Sequence, residues 1–365
     1  MSRICKLRYF QELRGEGKEV QRTRNGAVIE IDGSYGEAGG QILRTSVALS
    51  AATGIPCRIH SIRRRRPNPG LRPQHLVGLR AAARMCGAEV EGDEVGSSEV
   101  TFRPRAVRPG SYRIDVGTAG AVTLVLQTLL PVALRAGGEV QLDLTGGTCV
   151  AWSPTVGYFK DVLCWYLAEL GTEVDVDVVR HGFYPKGGGR VKAKVSPGKL
   201  GRVKFVERGK LEGVYAESIA SGSLREARVA ERQVEAFLRI FPEAEVKVRY
   251  VESSSPGSCL HAWARYEGGT LGGDALGERG KRAEQVGREA AELLRAQVES
   301  EAPLDEWMAD QILPFMAFSA LDHGERMEVR ASRVTEHART NIWVVEHFLP
   351  VRFLVDGKAI LCEPG

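Results

Sequence analysis

Residues 27–51, AVIEIDGSYGEAGGQILRTSVALSA, run from a strand-like stretch (AVIEID) through a glycine-rich turn into a helical pattern. Leu43, Val47 and Ala51 recur on one face of that helix. The same order returns downstream. Gly36 opens a G-x-x-G ahead of the first helix, and Gly117 opens GTAG ahead of another, 81 residues later. Pro73 leads into HLVGLRAAARMCGAEVE, and Pro154 leads into TVGYFKDVLCWYLAELGTEVDV, again 81 residues on. Each of these two helices ends at a glycine, Gly87 or Gly171, and a strand rich in valine and acidic residues follows. Proline at the start and glycine at the end have the polarity of a helix. Equal spacing of both landmarks predicts two copies of one α/β unit.

Working outward, DQILPFMAFSA (310–320) echoes LQTLLPVALRA (126–136), and NIWVVEHFL and VRFLVDG follow it as helix and strand, which suggests a third copy. Between the second and third copies lie about 100 residues with elements of their own. VKFVE, GVYAES, EVKVRYVE and LHAWARYE read as strands, and LREARVAERQVEAFLRIF and KRAEQVGREAAELLRAQV as helices. A four-stranded sheet with two helices can bury its own core, so an inserted domain is expected at 201–301. The large domain is then 26–200 together with 302–365, and residues 1–25, basic and polar, form an N-terminal extension. The fold class expected is α/β (α+β).

Composition narrows the class without naming a partner. Hydrophobic residues make up 43% and charged residues 26% of 365, as in an ordinary globular protein. A formal charge of +4 is too small to argue for nucleic acid, so local clusters must carry that argument. Seven cysteines without a CxxC pair fit free thiols in a reducing compartment. The opening MSRICKLRYF has no signal-peptide pattern, and the longest apolar run, AVTLVLQTLLPVAL, is too short to span a bilayer. A cytoplasmic protein with no membrane partner is the expectation.

No GxxxxGK[ST] is present and GSYGEAGG fails GxGxxG, which leaves both glycine turns as either phosphate cradles or tight packing. Arg63, Arg64, Arg65 and Arg66 run into PNPGLRPQH, bringing Arg72 and His75 close behind. If that run stays extended, Arg63 and Arg65 face one side and Arg64 and Arg66 the other. Such a field suits phosphate oxygens, as in an RNA end or a nucleotide, against the plainer reading of a solvated edge. In HGFYPKGGGRV, His181, Lys186 and Arg190 surround three glycines, consistent with a close-approaching ligand or a decorated hairpin.

VTEHARTNIWVVEHFLPV (334–351) places His337 at a helix start. The positive end of the helix dipole disfavours imidazolium and favours an incoming phosphoryl group, which are the conditions for a nucleophilic histidine. Asn341 is placed to fix the ring or bond a phosphate oxygen. Glu37 lies in the first glycine turn, and Glu306 and Asp310, four apart on an expected helix, share a face that suits magnesium with ligand phosphates. No compact zinc pattern appears.

Taken together, EIDGSYGEAGGQILRTSVALS, PGLRPQH, GTAGAVTLVLQTLLP, RHGFYPKGGG, ADQILP and TEHARTNIWVVEHFLPVRF resemble the RNA 3′-terminal phosphate cyclase family, over nearly the whole chain after residue 28. The resemblance implies repeated βαβαββ units with a smaller inserted α/β domain, and a role for ATP and a divalent metal, Mg2+ or Mn2+. It implies that His337 attacks the α-phosphate of ATP, and that the adenylate passes to an RNA 3′-terminal phosphate as RNA-ppA. The neighbouring 2′-hydroxyl then closes a 2′,3′-cyclic phosphate and releases AMP. Glu37, Gln127, Pro154, Trp307, Asp310 and Asn341 are implied at the nucleotide, with Glu37 and Asp310 as metal ligands. Arg63, Arg66 and His75 are implied in a basic region that holds phosphates; with Arg72, Lys186 and Arg190, read from the residues above, they are the expected phosphate or RNA contacts, and the insert's SSSPGSCLHAWARYE is a further candidate for RNA. Trp307 departs from the family's usual tyrosine, although indole also stacks on adenine. A noncatalytic relative, binding RNA and proteins in ribosome assembly, would dispense with the nucleophile. An ATP-independent transferase would leave RHGFYPKGGG and TEHARTN unexplained.

Overall fold

The computed structural model describes residues 22–23 and 26–365; the expected extension at 1–25 lies outside these residues except for Arg22–Thr23, which pairs with Gly26–Ala27. Three four-stranded sheets then repeat one topology. In the first, strands Ile29–Asp32 and Cys57–His60 run parallel on either side of helix α1 (Gly40–Thr53). Helix α2 (Pro73–Cys86) leads to Glu89–Glu91 and Val100–Arg103, which pair antiparallel, and the second of these pairs with Cys57–His60. The second sheet repeats the pattern with Gly110–Asp115, α3 (Val122–Ala133), Val140–Gly146, a long helix, Glu173–Arg180 and Gly189–Ser196. That long helix, α4, comprises Val156–Tyr158, a π-helical turn Phe159–Leu163 and Cys164–Glu169. Each unit is therefore a βαβαββ fold, and the mixed α/β class expected from the sequence is the one observed.

Local sequence explains the repeated helix starts. Pro73 takes the first position of α2, while the Arg72 backbone N–H donates to Nδ1 of His75. Thr155 caps α4, its hydroxyl accepting from the N–H of Tyr158 at 3.1 Å. Gly87 and Gly171, expected at the two helix ends, have φ of 61° and 74°, the left-handed conformation that stops a helix.

The third unit is split. Its first strand is Lys204–Phe205, parallel to Met327–Arg330, so VKFVE lies in this sheet and not in that of the insert. The insert's four strands are Leu211–Ser221, Glu245–Val251, Ser258–Tyr266 and Gly269–Leu276, with helices α5 (Val229–Leu238) and α6 (Ala283–Glu299) packed on them. They bury a core separate from that of the three repeats. The fourth strand, GTLGGDAL, has little strand signature because it is covered closely on both faces. A Cβ on Gly272 would lie 2.5 Å from the Tyr158 ring, and one on Gly273 would lie 2.6 Å from the Leu294 backbone nitrogen of α6. After the insert come α7 (Met308–Gln311), α8 (Leu313–His323), α9 (Glu336–Phe348) and the antiparallel pair Val351–Asp356 and Ala359–Pro364. Helix α1 packs against α2, α3 and α9, which joins the first unit to both others. Among the described residues, the six cysteines are free thiols and no helix is long and apolar enough to cross a membrane.

Gly273→Ala should destabilise the protein by about 1–3 kcal/mol, because α6 backbone must move to admit one methyl group. A lowered urea midpoint is the expected result; an unchanged midpoint would show that α6 is free to shift.

Candidate active site

Residues from all three repeated units converge on one cavity of about 520 Å3, a volume typical of small-molecule sites. The turn before α1 supplies Glu37, α3 supplies Gln127, and α7 supplies Asp310, so the first helix of each unit or the turn leading into it contributes. The second helices contribute at their N-termini, Pro154 just before α4 and His337 in the first turn of α9. Thr335 caps α9, its hydroxyl accepting from the N–H of Ala338, which holds His337 at the mouth of the helix. Gly36 makes this convergence possible. A Cβ there would lie 2.3 Å from Oγ1 of Thr340 on α9, so the first turn can rest on α9 only without a side chain.

The ring of His337 is 45% exposed and stands between two carboxylates, Nε2 at 2.6 Å from Glu37 and Nδ1 at 4.0 Å from Asp310. Burial lowers its pKa below the ordinary 6.5 despite the opposing pull of Glu37, and Arg44 and Arg66 push the same way as burial. The imidazole is therefore neutral at pH 7. Burial raises Asp310 to about 7, with Asp305 adding to the rise and Arg44 opposing it. Arg44 itself is lowered by burial to about 10, partly offset by Asp310, and so stays cationic. Trp307 and Pro154 line the same cavity, and the Trp307 indole meets the Tyr158 ring edge-on with centroids 6.3 Å apart. Beneath them, buried Asp305 accepts from the Tyr158 hydroxyl at 2.7 Å and from the N–H groups of Gly272, Trp307 and Met308, which pins the start of α7.

A half-open, neutral imidazole at a helix N-terminus, facing a nucleotide-sized cavity with cationic groups, is what phosphoryl chemistry on histidine requires. Comparison with known proteins agrees in family. The model of the RNA 3′-terminal phosphate cyclase family matches residues 35–355. RNA 3′-terminal phosphate cyclases from Pyrococcus furiosus and Methanopyrus kandleri are each 46% identical, covering 90% and 91% of this chain and 96% of their own lengths. The Archaeoglobus fulgidus cyclase is 43% identical over 92% of this chain and all of its own. The chain belongs to the RNA 3′-terminal phosphate cyclase family.

In this cyclase-family chain, several expected site residues lie elsewhere. Asn341 is buried, and its amide is used within the protein: Oδ1 accepts from the Thr45 hydroxyl and Nδ2 donates to the Asp310 carbonyl, both at 2.7 Å. It bonds neither the His337 ring nor the cavity. His75 is buried against Gly40, and burial followed by Arg44, Arg63 and Arg72 lowers its pKa to about 3, so it is a neutral capping group. Arg190 is held by Asp143 in a bidentate pair at 2.8 and 2.6 Å, in a separate concavity with Arg180 and Arg249. Lys186 is exposed on the adjoining loop and lines neither this cavity nor a second, larger cleft beside it. The arginine run is a turn instead of an extended segment, since the N–H groups of Arg64 and Arg66 bond the carbonyls of Ser61 and Arg63. Arg66 approaches Glu37 at 3.9 Å, while Arg63 and Arg72 line the neighbouring cleft. Glu306 precedes α7 instead of sharing its face with Asp310, but it lines the same cavity, where it pairs with Arg333.

Arg44, Tyr158, Asp274, Gln311 and Arg333 also line the cavity and were not singled out in the sequence. Arg44 did leave a signal. Gln41, Arg44 and Thr45 form a polar stripe at i, i+3 and i+4 on an otherwise buried helix, and Gln41 donates to Asp310 at 2.7 Å while Thr45 binds Asn341. For a divalent metal, Glu37 fits: its carboxylate is 38% exposed, and Mg2+ is commonly held by one or two carboxylates with substrate phosphates and water. Asp310 fits less well, being bonded to Gln41 and raised to about 7. Among the described residues no group of three or more such ligands occurs.

The His75 shift sets a pH dependence. Its folded pKa lies below the ordinary 6.5, so the unfolded chain takes up the proton first. The stability contributed by the neutral buried ring is complete above about 6.5 and is lost as pH falls toward 3, by up to about 1.4 kcal/mol per pH unit. His75→Gln should flatten the acid limb of a plot of urea midpoint against pH by about one proton. An identical slope would mean that the ring is not the group titrating.

Proposed function

We propose that this protein uses ATP to convert an RNA 3′-terminal phosphate into a 2′,3′-cyclic phosphate, with His337 as the nucleophile. The observation that carries the reading is the half-exposed His337 ring in the first turn of α9, facing a cavity that Trp307 and Pro154 also line. Family membership and near full-length identity to proteins named as cyclases support the same reading.

A ring nitrogen attacks the α-phosphorus of ATP, forming an N–P bond as the bond to pyrophosphate breaks. For Nε2 to attack, Glu37 must release it, and Asp310 beside Nδ1 then orients the other side of the ring. Arg44, buried and cationic, and the N-terminus of α9 offset the charge that develops on phosphorus. A divalent metal, held by Glu37 together with phosphate oxygens, would supply further positive charge at the triphosphate. An oxygen of the RNA 3′-phosphate next displaces histidine, giving RNA-ppA and restoring the free ring. The adjacent 2′-hydroxyl attacks the 3′-phosphorus, AMP leaves, and the hydroxyl proton passes to solvent. A phosphate monoester has no good leaving group, and adenylylation creates one. The ribose already positions the 2′-oxygen, so closure costs little entropy. Trp307 and Pro154 would sandwich adenine, and Gln127, whose amide donates to Gln311 at 2.7 Å, would border the nucleoside.

The noncatalytic alternative needs no reactive histidine, and an open, neutral His337 argues against it. ATP labelled at the α-phosphate should label the protein before RNA is added, through a bond that is acid-labile and alkali-stable. His337→Asn should abolish that label; a fully labelled variant would exclude the role of His337. Because burial lowers the ring's pKa below 6.5, labelling should fall on acidification with a midpoint below pH 6.5. A midpoint at neutral pH or above would show that the ring is not kept neutral.

A further inference from the structure

Beside the nucleotide cavity, and sharing Leu124 and Trp152 with it, lies a larger cleft of about 1270 Å3. Arg63 and Arg72 of the first unit form one side, the turn 118–121 before α3 lines it in the second, and the insert closes it with residues 256–258 and 276–279. We propose that this cleft carries the single-stranded RNA behind the 3′ end, with Trp152 and Tyr184 as stacking platforms for bases upstream of the terminal nucleotide. The proposal rests on the function argued above and extends it from the reacting phosphate to the strand that bears it.

Two aromatic rings in the cleft are exposed far beyond what folding requires. Trp152 is 98% exposed and has φ of 65°, a left-handed conformation disfavoured for a bulky residue. Its turn is fixed, since Ser153 Oγ donates to the Val150 carbonyl at 2.9 Å. Strained, solvent-held side chains of this kind concentrate at functional sites. Tyr184 is 76% exposed, yet its neighbour Phe183 is buried against the insert, where a Cβ on Gly257 would lie 2.3 Å from the Phe183 ring. The Tyr184 ring thus projects from an anchored base. Among the described residues neither ring stacks on another ring of the protein.

Charge selects the occupant. Arg63, Arg72 and Arg279 line the cleft against one carboxylate, Glu278, and none of the three arginines is ion-paired among the described residues. Arg63 bonds only the carbonyls of Asn68 and Gly70, so its charge stays unneutralised. Unpaired guanidiniums interleaved with exposed rings, in a groove wider than the nucleotide cavity, match a phosphodiester backbone with unstacked bases. Trp152, on the wall common to both cavities, lies where the strand meets the adenylate.

The test uses the whole protein and two substrates, a 3′-phosphorylated oligonucleotide and a 3′-phosphorylated single nucleotide. Tyr184→Ala should raise KM for the oligonucleotide about tenfold, the effect of losing one stacked base, with kcat little changed. KM for the single nucleotide should stay within about twofold, and labelling by α-labelled ATP should persist. Tyr184→Phe, which keeps the ring, should restore the oligonucleotide KM. Trp152→Ala should raise the oligonucleotide KM as well. Unchanged oligonucleotide KM in both alanine variants, or equal losses on both substrates in Tyr184→Ala, would overturn the proposal; the first outcome would point to a protein occupant. Absence of label in the unaltered protein would instead overturn the reading of His337, which keeps the two failures distinct.

Discussion

The amide of Asn341 closes the molecule. Through Thr45 it ties α9 to α1, and through the Asp310 carbonyl it ties α9 to α7, joining residues 296 apart in sequence. The bond to Thr45 is buried and the one to Asp310 partly so; where a bond is buried, loss of one partner leaves the other group desolvated and unpaired, a cost of about 1–3 kcal/mol. The first and last units therefore meet in one register. That register sets Glu37 against one edge of the His337 ring and Asp310 near the other. Gly36 completes the joint by leaving room for Thr340. The amide of Asn341 thus helps hold both carboxylates in place beside the His337 ring.

The joint also determines the electrostatics. A carboxylate at 2.6 Å would ordinarily hold a histidine protonated, yet His337 is lowered, because burial and the charges of Arg44 and Arg66 outweigh Glu37. Arg44 acts on both sides of the balance, depressing His337 and moderating the rise at Asp310. Placing this guanidinium in the buried face of α1 is costly in isolation. It is tolerated because the face opens on the cavity and Asp310 lies close enough to interact.

Much of the fold was legible because repetition is a sequence property. The 81-residue spacing of glycine turn and proline start survives as equivalent helices in equivalent sheets. The insert was harder to read, since strand membership depends on partners distant in sequence. VKFVE has the composition of a strand but pairs with Met327–Arg330, whereas GTLGGDAL, poor in β-branched residues, is the true fourth strand, its glycines serving close packing. His337 and Glu37, picked out from a helix start and a glycine turn, line one cavity 2.6 Å apart. Arg190, His75 and Asn341 lie outside the lining of that cavity, each bonded within the protein, because residue type does not reveal whether a polar group already has a partner. Asp143, Arg72 and Thr45 with Asp310 supply those partners, all but Arg72 far along the chain. Asp274 could not be found at all from local pattern, since it reaches the cavity from the insert.

That reach depends on where the insert enters. It interrupts the third unit between its first strand and first helix, so its last strand runs beside α4 and the start of α7. The seam is polar and densely bonded. Tyr166 donates to the Pro303 carbonyl at 2.6 Å and accepts from the Thr270 N–H, while Thr155 donates to Asp274 at 2.5 Å. His261 is buried between Asp274 at 2.6 Å and Asp161 at 3.3 Å. Burial alone would lower its pKa, but the two carboxylates raise it to about 10, so it remains an imidazolium bridging insert and body. A buried charge held from both sides resists separation, because parting them would strand an ion in a medium that solvates it poorly. The wall of the His337 cavity and the insert's side of the adjoining cleft are therefore parts of one fixed structure. A hinge at this seam would disorder Tyr158, Asp274 and the start of α7 together, which is a reason for the insert to lie against α4 instead of hanging from its two connecting chains.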